Sequence, residues 1–186
     1  MAAVRVPVVG RGGDNPMALD VFAADEQSDR TIDIARWVTL ARDVLGAQGV
    51  RDDVEVSLLF VDEPTIAELH ERFLGAEGPT DVLAFPIDEE RDLGGRSPDE
   101  GGTGPGGGLP ADEAEAPVLL GDVVVCPSVA ARNAVDHGVG FDDEVALLVV
   151  HGLLHLLGMD HGVDHEAQKM ERREQELLAR FHRPAS

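Results

Sequence analysis

With a single cysteine, Cys126, the 186-residue chain can close no internal disulfide, so a reducing compartment is expected. It also has no apolar run of the roughly 20 residues a helix needs to cross a bilayer, and its opening, MAAVRVPVVGRGGDNP, is too poor in apolar residues for a signal peptide. A cytoplasmic protein with no membrane partner is the reading. Positive charge is scarce as well: 15 Lys and Arg stand against 36 Asp and Glu, a net charge of -21. That balance excludes a protein that coats nucleic acid by bulk electrostatics, because phosphate contacts draw on clustered Lys and Arg. An RNA ligand would have to be held at a local basic or metal-centred site, binding weakly when free and helped by a partner.

Part of the acidity is concentrated. Residues 88–116 hold nine acidic residues against two Arg, a contribution of -7, which leaves -14 for the rest. The same stretch is rich in Gly and Pro and has too few apolar groups to offset the entropy of ordering it. The expected organisation is therefore a loose tail at 1–16 and one domain over 17–182, interrupted by a flexible acidic, Gly-rich insert at about 89–116. This length suits one domain with its own core.

What stands out is HGLLHLLGMDHG, from His151 to Gly162. Four residues separate His151 from His155 in an apolar run, and helical periodicity stacks both imidazoles on one face. Gly158 can end that helix in a left-handed turn, and the reversed chain brings His161 back as a third ligand. Three neutral imidazoles leave the fourth corner of a tetrahedral zinc open to solvent, the pattern of a catalytic site rather than a closed structural one. One Zn2+ per chain is expected, with metal-bound water on the His151, His155, His161 site as the nucleophile. The general acid or base is unassigned; Asp160 is a weak candidate, more simply read as orienting an imidazole or capping the turn. His165, four beyond His161, reads as exposed structure at a helix start, with an alternate metal contact as the other reading, and His70, His137 and His182 read as ordinary histidines. The spacing equals that of the metzincin proteases, but the Glu that serves as their base is Gly152 here.

Periodicity supplies the frame. Strands are expected at Ala18–Ala23, Val54–Val61, Thr80–Pro86 and Val118–Val125. Helices are expected from Thr31 to Gly46 or Gly49, through Leu69 and Phe73, over Pro127–Val135 with Ser128 and Asn133 on its polar side, over Asp142–Leu157, and over Asp164–Phe181. The fold class is α+β: a small mixed four-stranded sheet with about five or six helices, one of them the zincin-like metal helix. Trp37 lies in an apolar stripe and is read as core. Thr80 and Asp81 either cap a turn or stand near the metal, and Gly121-Asp122 places a carboxylate or a bulge beside the site. On the last helix, Met170, Leu177 and Leu178 pack inward while the alternating Glu and Arg form a solvated face.

Taken together, TDVLAFP, LLGDVVVCP, HGLLHLLGMDH and KMERREQELL closely resemble the bacterial YbeY family of metal-dependent, single-strand-specific endoribonucleases over roughly Leu19–Leu178. The resemblance implies that His151, His155 and His161 bind zinc. It also implies a role in 16S rRNA 3′-end maturation and ribosome quality control, with single-stranded RNA, the small ribosomal subunit and ribosome-assembly factors as partners. Two departures stand out. The Arg that many members carry six residues before the Thr of TDVLSFP is Leu74 here, and Arg72, two residues earlier, is turned by roughly 200° on a helix and is no simple substitute. The acidic insert is longer than the family's usual loop. Two other readings are a metalloprotease-like hydrolase and a non-catalytic, zinc-stabilised module in ribosome assembly.

Overall fold

The computed structural model describes residues 2–5, 19–50, 54–87, 118–159 and 163–182. Its elements, in chain order, are β1 (Ala2–Arg5), β2 (Asp20–Asp25), α1 (Ile34–Ala47), β3 (Val54–Phe60), α2 (Glu63–Leu74), β4 (Val82–Pro86), β5 (Val118–Val125), α3 (Pro127–His137), α4 (Phe141–Leu156) and α5 (Asp164–Phe181). The strands form one mixed sheet in the order β1-β2-β3-β5-β4, with β2, β3 and β5 parallel and the two outer strands antiparallel to their neighbours. The expected four-stranded mixed sheet is present as β2-β3-β5-β4. Ala2–Arg5, within the stretch read as a loose tail, adds a fifth strand by pairing along β2 from Ala2↔Asp25 to Arg5↔Phe22. The acidic insert at about 89–116 lies outside the described residues.

Local chemistry explains where the helices begin and end. Asp33 caps α1 by accepting from the Arg36 amide. Asp62 does the same for α2 through the Thr65 amide at 3.0 Å, Pro64 occupies the first turn where its missing N–H costs nothing, and Gly75 closes the helix at φ 66°. The sheet buries one face against α1, α4 and α5. Val21, Ala23, Val56, Leu58, Phe60, Val123 and Val125 from the strands meet Trp37, Ala41 and Val44, then Val145, Val149 and Leu153, then Met170 and Leu177. Trp37 is core, as its stripe predicts. A smaller cluster on the opposite side gathers Ile66 of α2 with Leu83, Val124, Cys126 and Val129. Burial pushes the Cys126 thiol above its ordinary pKa, keeping it a neutral, inert packing group.

Two glycines fix how α4 lies on the sheet. Glu55 pairs with Leu119 but Val56 with Gly121, so Leu120 is an extra, bulged residue. Gly121 takes φ 143°, and a Cβ there would stand 2.3 Å from the Phe85 carbonyl oxygen and 2.9 Å from Leu156 Cδ2. Gly152 lets α4 lie close against β5: a Cβ on it would fall 2.5 Å from Val123 Cγ1, on a buried, β-branched side chain with little freedom to yield.

Candidate metal centre

Helix α4 is apolar nearly all the way round, as a helix buried inside a domain should be, and its acidic first turn, Asp142, Asp143 and Glu144, faces the positive end of its dipole. His151 and His155 sit one turn apart near its C-terminus, where Gly158 at φ 78° takes the left-handed conformation that the sequence required of it. The Nε2 atoms of the two rings stand 3.0 Å apart, with ring planes at 75°. Two nitrogens that each lie about 2.0–2.1 Å from one tetrahedral zinc are separated by roughly 3.3 Å, so the pair has the geometry and the donor chemistry to share a divalent ion. Among the described residues no group of three His, Cys, Asp or Glu surrounds a common point, and His161 and Asp160 lie outside them.

One further residue joins the site, and the sequence reading passed over it. Glu174, on α5, accepts a hydrogen bond from His151 Nδ1 at 2.7 Å and is only 9% exposed. The expectation that the charges of α5 form a solvated face therefore fails at this position. The signal was available: Met170, Glu174 and Leu177 recur at i, i+4 and i+7, which puts one carboxylate on the helix's apolar stripe. Arg173 departs from that face as well, bonding Gln48 Oε1 through Nε at 2.8 Å.

Both histidines open onto a cleft of about 550 Å³ whose other walls include Phe73 and Leu74 from the end of α2 and Ala84, Phe85 and Pro86 from β4. The Phe73 and Phe85 rings meet at 5.0 Å, tilted by 60°. Leu74 is well exposed at the rim, whereas the Arg72 guanidinium lies over the Phe73 ring at 5.3 Å to its centroid. No arginine lines this cleft among the described residues.

The remaining candidates are structural. Asp81 Oδ1 accepts from the Val82 amide and the Thr80 hydroxyl, and Oδ2 accepts from Asn133 Nδ2 at 2.9 Å, so Asp81 fastens the start of β4 to α3. Ser128 donates to Asp29. Val123 faces α4, so strand alternation turns Asp122 to the opposite face; of the two features expected near Gly121 the bulge is present, and neither Gly121 nor Asp122 is among the described residues that line the cleft. His70 bonds the Gly78 carbonyl, His182 the Asp143 carboxylate and His137 the buried Glu144, which raises the pKa of His137 through that hydrogen bond. His165 is exposed.

Comparison with known proteins decides the family. The model of the family described as endoribonuclease YbeY matches residues 22–182, most of the chain. The chain belongs to the endoribonuclease YbeY family. Its relatives of that name include one from Beutenbergia cavernae, 43% identical over 155 residues that cover 83% of this chain and 93% of the relative. Another, from Thermobifida fusca, is 42% identical over 167 residues, covering 90% of this chain and 96% of the relative. The solution structure of Thermotoga maritima TM1509 shares the fold at a TM-score of 0.50 and 23% identity, covering 88% of this chain and 91% of that one. The mixed sheet with five helices is thus the architecture of a YbeY protein, and no helix among its described residues is long and apolar enough to cross a membrane.

Proposed function

We propose that this YbeY-family chain is a zinc-dependent endoribonuclease that hydrolyses phosphodiesters of single-stranded RNA, with His151, His155 and His161 as the metal ligands. The observation that carries the reading is the 3.0 Å approach of His151 Nε2 to His155 Nε2 at the mouth of the cleft. A divalent ion at that point supplies a nucleophile from water at neutral pH and neutralises charge on a phosphate oxygen. The protein's own part is to hold the two rings rigidly on a buried helix and to set an apolar, aromatic wall beside them. A cleft of this size admits an unpaired strand, whose splayed bases can lie on Phe73 and Phe85; a stacked duplex offers no free base face to such a wall. Asp160, next to His161 in sequence, is the carboxylate this reading puts forward for orienting a ring or moving a proton.

Because the chain carries a net charge of -21, affinity for free RNA is low, and the substrate is presented by a partner. That fits action on the small ribosomal subunit, in 16S rRNA 3′-end maturation and ribosome quality control in the cytoplasm. The packing at Gly152 disfavours a peptidase of the metzincin type, since a side chain at that position runs into Val123 rather than reaching a substrate.

The test is cleavage of a single-stranded RNA oligonucleotide by purified protein, with and without chelator. His155→Ala is expected to lower the rate by about 10³-fold, because a catalytic ion contributes several kcal/mol to the transition state. Equal cleavage by wild type, chelated wild type and His155→Ala would remove the proposal.

A further inference from the structure

We infer that Glu174 is a positioning residue for the metal site: its carboxylate fixes His151 in the tautomer whose Nε2 is bare and aims that nitrogen at the point shared with His155. The inference rests on the metal-site reading above and adds to it a residue on a different helix. A neutral imidazole carries one N–H, and an ionised carboxylate can only accept. At 2.7 Å from Glu174 Oε1, His151 Nδ1 must therefore be the donor, which leaves the lone pair of Nε2 available. The bond also stops rotation of the ring, since α5 is itself held by Met170 and Leu177, each 2% exposed, on either side of Glu174 along the same stripe.

Burial makes the assignment sharper. A carboxylate among core side chains is costly to desolvate unless it is hydrogen-bonded there. Glu174 between Met170 and Leu177 is thus a poor choice for packing and a good one for holding an imidazole. Outer carboxylates of this kind typically contribute 10–100-fold to metal affinity.

The experiment uses the full chain stripped of metal, with Zn2+ titrated in competition with a chromogenic chelator, for wild type, Glu174→Leu and Glu174→Gln. Glu174→Leu is expected to bind Zn2+ about 10–100-fold more weakly. Glu174→Gln keeps an accepting oxygen and is expected to fall between the two. Long-range ¹H–¹⁵N spectra of the histidine rings give a readout that packing alone would not move: His151 should be the Nδ1–H tautomer in the metal-free wild type and lose that preference in Glu174→Leu. If Glu174→Leu fails to fold, Glu174→Gln and the wild-type spectrum decide. Zn2+ affinity within twofold of wild type in the folded variants, or an Nε2–H form of His151 in the wild type, overturns the inference while leaving the metal site standing. No Zn2+ uptake by the wild type overturns the metal-site reading itself.

Discussion

Helices α4 and α5 are joined by the hydrogen bond between His151 and Glu174, and they solve opposite packing problems. Helix α4 is buried on nearly every side, so its two polar rings, half-buried among apolar neighbours, are conspicuous. Helix α5 is mostly charged and exposed, with Met170, Glu174 and Leu177 as its buried residues, so its one chemically telling side chain is hidden among many that look the same. A polar residue in an apolar helix announces itself, and a buried carboxylate in a charged helix does not. What distinguishes Glu174 is its neighbours on the stripe.

The sharpest way to break that contrast is to load α4 with the residue that a protease would need. Gly152→Glu is expected to leave the chain unable to reach its native state, because even a methyl group there meets Val123 at a distance no real contact shows. Overpacking of this kind costs about 1–3 kcal/mol for Gly152→Ala, readable as a lower denaturant midpoint, and more for the longer side chain. A folded, casein-cleaving Gly152→Glu protein would mean that the helix does not lie as closely on β5 as described. On α5 the comparison can be made within two adjacent residues: Leu177→Ala should cost about 2–5 kcal/mol by cavity formation, while Glu176→Ala, on the exposed side, should stay within about 0.5 kcal/mol. Equal effects would erase the distinction between the two faces.

The smallest expected effect concerns the start of α4. Buried Glu144 accepts from His137 at 3.1 Å and raises the pKa of that histidine above its ordinary 6.5. A group whose folded pKa is raised adds stability that is fully present below its unfolded pKa and is lost as pH rises through the folded value. The difference in melting temperature between wild type and His137→Gln should therefore be larger at about pH 5.5 than at about pH 8.5. A difference that grows towards alkaline pH would refute the pairing.

These contrasts also show what could be read in advance. The strands at Val54 and Val118, the helix from Asp164 to Phe181 and the placement of Trp37 follow from periodicity, which depends only on near neighbours in the chain. So does the pairing of His151 with His155. The partners of Asp81 could not be found in this way, because Asn133 lies 52 residues downstream and local chemistry fits a cap and a ligand equally well. Strand β1 escaped for a different reason: Ala2–Arg5 is short, is followed by Gly and Pro, and gains its order from pairing along β2. The bulge at Leu120 was signalled by Gly121, but its consequence, the backbone passing close under Leu156 and Phe85, appears only once β4 and α4 are in place.

Because the partner of His151 arrives on the last helix, the order in which the chain is made matters. A nascent or proteolytically clipped polypeptide ending before residue 174 carries both α4 imidazoles yet lacks the carboxylate that bonds His151 Nδ1. Trimming at the carboxyl end would then remove a support of the α4 imidazoles while leaving the most recognisable motif untouched.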